Sequence, residues 1–343
     1  MRCVLFCENP YAFGILAPIR NELEERGHSY IWYISKKLTQ DFPFKKDNYT
    51  SEISQLKSFQ SDAIYVPGNE VPHFLRGLKV QVFHGLAGEK KGHFRIRHYF
   101  DLYLTPGPYF TNRFLELSKK HKNFEVLETG WSKLDVYQNN TAYYKEEKSI
   151  LLEKYKAQSI VLYAPTFSPS LTSAPDLVKE IEDLSKDKNK LILLKFHDLM
   201  DRSTTNNYKD LANTFSNIVF ISDRNIIKYL LIADLMISDT SSVVYEFLLL
   251  NKPVVTINTR NPQAAWENIN EPIDLVAKVN KNLKIDPFEA ERVGIIARYH
   301  PYKDGKSSKR MVEAVEEYIH KNGVPEKRNL SIFRKYKNNK KYR

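Results

Sequence analysis

The 343 residues hold only two cysteines, Cys3 and Cys7, four apart in one short apolar stretch. On an extended strand that spacing puts both thiols on one face. Neither has the neighbours of a metal site, so the pair reads as buried free thiols of a reducing compartment. Long apolar runs are missing too: Asp234 and Glu246 interrupt the best candidates, short of the roughly 18 residues a spanning helix needs. The opening Met-Arg-Cys-Val-Leu-Phe-Cys is too short for the apolar core of a secretion signal, and the expectation is a cytoplasmic protein. Several motifs are absent as well. The exit of the first strand, Glu8-Asn-Pro-Tyr-Ala-Phe-Gly14, holds no G-x-G-x-x-G, and no Walker A, H-E-x-x-H, C-x-x-C or G-x-S-x-G occurs. These absences disfavour dinucleotide binding in the first half, and P-loop, zinc-protease and serine-hydrolase chemistry throughout.

What is present is a globular composition, 42% apolar and 13% aromatic, in a chain long enough for two ordinary domains. Strands and helices alternate, the pattern of parallel sheets with crossover helices. Strands are expected at residues 2–7, 29–34, 62–66, 79–83, 101–105 and 125–127, with a helix over 14–26 ended by Gly27. After a charged helical connector at 143–156 the alternation restarts, with strands at 159–164, 190–195, 217–221, 235–237 and 254–257 and a last amphipathic helix at 306–321. This predicts an α/β chain of two Rossmann-like domains, their parallel sheets facing a central cleft. The expected division is 1–150, 151–325 and a basic tail at 326–343.

The net charge of +11 is concentrated in that tail, where eight Lys or Arg stand against Glu326 alone, so it supplies +7 and the preceding 325 residues +4. Either the tail is a loose solvated segment, or it attaches the protein to an anionic surface, with Leu330, Ile332 and Phe333 dipping into the interface. Nucleic acid would also be attracted, but no RRM, KH or zinc-knuckle pattern accompanies the charge, and none is expected as partner.

Three polar constellations follow strands, where open α/β sheets place ligands. The first is Asp239-Thr240-Ser241-Ser242 with Glu246 one turn on. Hydroxyls and orphan N–H groups at a helix start favour an anion, and Glu246 suits ribose hydroxyls. The second is Lys195-Phe-His197-Asp198; an extended backbone aims Lys195 and His197 to one side, either at a phosphate or into a strand-end pair with Asp198. The third is His84-Gly85. An imidazole there suits proton transfer near neutral pH or simply braces its turn. Lys90, Lys91, Arg95 and Arg97, with His93 and His98, make the following segment basic, either a face for a phosphorylated or lipid-linked acceptor or a solvated loop. Thr166 follows the first strand of the second half and could line the cleft. Asp304, Gly305, Lys306 and Ser307 could cap the last helix or meet a phosphate.

Together these pieces resemble the CDP-glycerol glycerophosphotransferases of teichoic acid and capsule synthesis, peripheral membrane enzymes of GT-B arrangement. The resemblance runs from about Phe83 to Arg310 and rests on His84-Gly85, Tyr163-Ala-Pro-Thr166, Lys195-Phe-His197, Ala233-Asp234-Leu235, Ser238-Asp239-Thr-Ser241-Ser242 and Asp304-Gly305-Lys306 with Arg310. It implies an N-terminal acceptor domain and a C-terminal nucleotide-donor domain, no resident cofactor and no metal. A CDP-activated polyol, glycerol first, would be the donor. A lipid-linked glycan or polyol-phosphate would be the acceptor, at the inner face of the cell membrane. His84 matches the family's general base; His197 and Lys195 match positions near the pyrophosphate; Ser241 and Ser242 match its phosphate-binding Ser-Ser. Leu86-Ala87, Asp198 and Thr240 depart from the family's usual Thr-Pro, Pro and Tyr, which leaves ribitol, another polyol or a sugar phosphate open. A GT-B glycosyltransferase or nucleotide-sugar epimerase would share many of these features.

Overall fold

The computed structural model describes all residues except 87–93, 140, 224, 260–264 and 343. The chain forms two compact units, Met1–Asn139 with Arg298–Arg343, and Asn140–Ala297.

Unit 1 is built on a parallel sheet of β1 (Arg2–Cys7), β2 (Ser29–Ile34), β3 (Tyr49–Thr50), β4 (Ala63–Val66), β5 (Leu78–Val82), β6 (Leu102–Thr105) and β7 (Glu125–Glu128), in the order β3-β2-β1-β4-β5-β6-β7. Cys3 pairs in register with Tyr30 on one side and Ala63 on the other. From Cys3 onward every residue of β1 is buried, because helices cover both faces of a parallel sheet and leave no solvent face for alternation. The Ala12–Glu25 helix buries Ala12, Ile15, Leu16, Ile19 and Leu23, an i, i+3, i+4, i+7 stripe in which each large side chain contributes about 2 kcal/mol relative to exposure. Cys3 and Cys7 are both buried and free, and burial pushes both thiols up to about 12.

Unit 2 carries β8 (Ser159–Tyr163), β9 (Lys190–Leu194), β10 (Ile218–Phe220), β11 (Leu235–Ser238), β12 (Val254–Ile257) and β13 (Glu267–Ile269), ordered β10-β9-β8-β11-β12-β13 and again parallel. Its core joins Val161, Ile192, Leu194, Ile237 and Val255 from the sheet to Leu177, Ile181, Tyr208 and Leu275. The edge strands β3 and β13, two and three residues long, are missed by sequence pattern, which needs about four residues to register.

The division expected at 150 and 325 falls instead at 139/140 and 297/298. The Thr141–Tyr155 helix is held in unit 2 by ion pairs of Lys148 with Asp234 and of Glu147 with Lys228. Residues 298–343 belong to unit 1 through close backbone packing. A Cβ on Gly107 would lie 2.5 Å from the Tyr299 carbonyl oxygen, and one on Gly130 (φ +87°) would lie 2.4 Å from Ser307 Oγ. The 326–343 segment is not loose. Arg328 pairs with Asp101 at 2.5 Å and donates to His98 O at 3.0 Å, and residues Ile332–Tyr342 form a docked helix. No described helix is long and apolar enough to cross a membrane.

Candidate functional site

In each sheet the strand order reverses once, β1/β4 in unit 1 and β8/β11 in unit 2, and the loops leaving those strands open a crevice at the carboxyl end. The Asp239–Ser242 turn leaves β11, and Thr166 lies on the exit of β8. One carboxylate ties the two exits together. Asp239 Oδ1 accepts from Thr166 N (2.9 Å), and Oδ2 accepts from Ser173 N (2.9 Å) and Ser173 Oγ (3.0 Å). Asp239 is 1% exposed, so these three donors occupy it and it serves as a brace, not as the phosphate ligand expected from sequence. The helix after the turn is Val243–Leu248, with Ser242 at its start making no side-chain capping bond. Ser241, Ser242, Thr240 and Thr166 are half-buried at this crevice, and Glu246 is buried on the helix. Past the helix, tighter turn bonds from Leu250 N to Phe247 O and from Asn251 N to Leu248 O carry the chain to Asn251, which lies in the left-handed region (φ 57°).

Burial raises the Asp239 carboxyl to about 6. An unfolded Asp titrates near about 3.9, so the folded state holds this proton more tightly. Its stabilising contribution is complete below about pH 4 and is lost as pH rises through about 6. Asp239→Asn removes the titration, so the parent's stability relative to this variant should decline between about pH 4 and 7. Denaturant unfolding across that window measures it, and a constant difference would refute the raised pKa.

Lys195 and His197 do come together. Both line a cavity of about 330 Å³ beyond the ends of β9 and β10, with Asp198, Arg202, Asn206, Lys209 and Phe220, within the size range of small-ligand sites. Lys195 is buried and its Nζ donates to Phe196 O at 3.1 Å; burial lowers its pKa. His197 Nδ1 lies 3.1 Å from Leu199 N. That N–H can only donate, so Nδ1 accepts and the neutral ring carries its proton on Nε2. Burial lowers the His197 pKa and Lys195 adds to the effect, against Asp198. Phe167 packs against the ring, centroids 4.4 Å apart. Arg202, Asn206 and Lys209 lie on the Arg202–Thr214 helix and escaped sequence reading, although their i, i+4, i+7 spacing is a one-face signal.

His84 in unit 1 has the opposite tautomer. Its Nδ1 lies 2.8 Å from Pro67 O, an atom that can only accept. The proton is therefore on Nδ1 and the neutral ring's lone pair on Nε2. Pro67 leaves β4 and His84 follows β5, while Tyr11, from the exit of β1, sets its ring 5.6 Å from that of His84. The buried Trp131 donates to Phe83 O (2.5 Å), fixing the residue before His84. Gly85 needs no left-handed backbone, and among the described residues a Cβ there would meet nothing within 4 Å. Arg95 is exposed. Lys90 and Lys91 lie outside the described residues.

In the 304–310 segment the contacts are internal to unit 1. Asp135 accepts from Ser307 N (2.9 Å) and Ser308 N (2.6 Å) at the start of the Ser307–Asn322 helix, so a carboxylate of unit 1 already caps it. Arg310 pairs with Asp304 at 2.7 Å and donates to Thr129 O at 2.8 Å. Among the described residues no group of three or more His, Cys, Asp or Glu could hold a metal ion.

The model of the CDP-glycerol:poly(glycerophosphate) glycerophosphotransferase family matches residues 77–317. The teichoic acid ribitol-phosphate polymerase TarL of Staphylococcus aureus is 27% identical over 273 residues, 68% of this chain and 46% of that protein. The teichoic acid glycerol-phosphate primase of Bacillus subtilis is 25% identical over 231 residues, 63% of this chain and 58% of that protein. The chain thus spans about half the length of the curated relatives it matches. Among solved structures, the wall teichoic acid polymerase TagF with CDPG superposes with a TM-score of 0.67 at 18% identity, covering 93% of this chain and 89% of that one. The UDP-GlcNAc 2-epimerase of Neisseria meningitidis bound to UDP-GlcNAc reaches 0.66 at 14% identity, covering 92% and 100%. The fold is accordingly the two-unit α/β architecture of the GT-B type.

Proposed function

The chain belongs to the CDP-glycerol:poly(glycerophosphate) glycerophosphotransferase family, and from that premise we propose that it moves a polyol phosphate from a CDP-activated donor to a hydroxyl of a membrane-linked glycan or polymer. CMP is released, at the cytoplasmic face of the membrane. Glycerol phosphate is the first candidate; the TagF structure with CDPG supports a CDP-linked donor. The chemistry needs a group that takes a proton from the acceptor hydroxyl and donors that stabilise charge on the departing phosphate.

The opposed tautomers of His84 and His197 are the observation that carries this reading. His84 Nε2 takes the proton as the acceptor oxygen bonds to the β-phosphorus. The bridging P–O bond breaks and its electron pair leaves with CMP. His197 Nε2–H and Lys195 donate to phosphate oxygens, and the Ser241-Ser242 turn, braced by Asp239 against Thr166, holds the diphosphate. Glu246 accepts from ribose hydroxyls. Arg95, with Lys90 and Lys91, attracts the anionic acceptor.

Incubating the protein with CDP-glycerol, CDP-ribitol and UDP-sugars, and identifying the nucleotide released, tests the proposal. CMP is expected from at least one CDP-polyol. UDP or UMP with no CMP would instead support a glycosyltransferase or epimerase, the reading that the fold likeness to the UDP-GlcNAc 2-epimerase favours.

A further inference from the structure

The Ile332–Tyr342 helix has two faces of opposite character. One is fastened into unit 1. Asn338 is buried, its Nδ2 donating to Val71 O (3.1 Å) and its Oδ1 accepting from His73 N (3.0 Å). Tyr342, also buried, places its hydroxyl 3.1 Å from the Glu8 carboxylate, and Lys341 pairs with the same carboxylate at 3.1 Å. Arg334 donates to Arg97 O at 2.8 Å.

The other face carries Ile332, Phe333 and Tyr336, exposed by 88, 66 and 67%. Positions i, i+1 and i+4 lie side by side on a helix, so these three form one patch. Lys337 and Lys340 continue that face, and Lys337 Nζ sits 4.5 Å from the Phe333 ring centroid. From residue 327 to 343 the sequence holds eight Lys or Arg and no Asp or Glu.

The charge selects the occupant. Apolar side chains ringed by lysines match the acyl chains and headgroup phosphates of an anionic bilayer. A second copy would bring the same cations against themselves, and a nucleic-acid backbone would satisfy the lysines but leave Ile332 in water. The fastened face adds position: Glu8 lies on the β1 exit that sets Tyr11 against His84, and Arg97 lies on the segment after His84.

We propose that this helix is a folded membrane-contact element, which seats unit 1 on anionic lipid and anchors on the two segments flanking His84, where a lipid-linked acceptor is presented. Lipid binding stands on the helix itself; the presentation of the acceptor rests on the transferase reading above.

Sedimentation of the full chain with vesicles tests the first part. Binding to phosphatidylglycerol-containing vesicles and not to pure phosphatidylcholine is expected. The combined Ile332→Ser, Phe333→Ser, Tyr336→Ser variant should bind at least about tenfold more weakly, and Lys337→Gln with Lys340→Gln should cost about fivefold per charge, less at high salt. Because Cys3 and Cys7 are buried, Phe333→Cys takes a polarity-sensitive fluorophore selectively, and its emission should shift to the blue on anionic vesicles. Undiminished vesicle binding by the triple variant, equal binding to neutral lipid, or an unshifted label would overturn the proposal. So would a triple variant that turns a dimer into a monomer while still binding vesicles. Turnover with a soluble acceptor should be unchanged in the triple variant, and turnover with a vesicle-embedded acceptor should fall in step with binding. Absence of CMP from any donor would defeat the transferase reading while leaving the vesicle result intact.

Discussion

His84→Ala is expected to lower turnover by about a thousandfold, the usual range for removing a general base, while the affinity for a CDP-polyol stays within about twofold. The separation follows from where the residue stands. His84 is in unit 1, held by Pro67 and by the Trp131 grip on Phe83, and the groups suited to phosphate are on unit 2. Glutamine at position 84 should do no better than alanine, because an amide cannot take a proton near neutral pH. Single-turnover CMP release reads the first quantity and calorimetric titration of the donor reads the second. Donor affinity lost in proportion to turnover would move His84 out of the base's role.

His197 should respond differently. With its Nδ1 accepting from Leu199 N, it offers an Nε2–H to an oxygen on which charge develops, and removing one such donor costs about a hundredfold in turnover. His197→Ala is expected to show that loss. His197→Gln places an amide N–H near the position of Nε2 and should retain activity within about tenfold of the parent. A glutamine variant as inactive as alanine would mean that His197 must exchange a proton, and the division of labour between the two histidines would fail. The pair of substitutions therefore tests the tautomers directly.

Much of this architecture is legible in the residues themselves. The eleven strands expected from apolar runs are present, and most of them are buried on both faces, which announces a strand by composition alone. His84, Lys195 and the Asp239–Ser242 turn are legible for a related reason: polar residues directly after an apolar strand have few roles other than caps, turns and ligands. The short edge strands Tyr49–Thr50 and Glu267–Ile269 are not legible, since two or three residues carry no periodicity. Nor is the role of Asp239. Its partners Thr166 and Ser173 are 73 and 66 residues away, so sequence shows an acid beside hydroxyls and suggests a ligand where the fold has built a brace.

The alternation of strands and helices along the chain, the carboxyl-end position of the polar turns and the family were legible in the sequence, because local propensity, strand burial and short motifs act over a few residues at a time. Contacts between distant segments were decided by tertiary structure alone. The basic segment reads either as a loose tail or as a surface attachment, and neither reading shows it docked, as it is where Asn338 meets Val71 and His73, more than 260 residues earlier, and Arg328 meets Asp101. Whether each histidine's Nδ1 donates or accepts was decided in the same way, by the backbone atom that faces it. A hydrogen bond depends on the positions of two groups in space, and for such pairs no local pattern in the chain records the meeting.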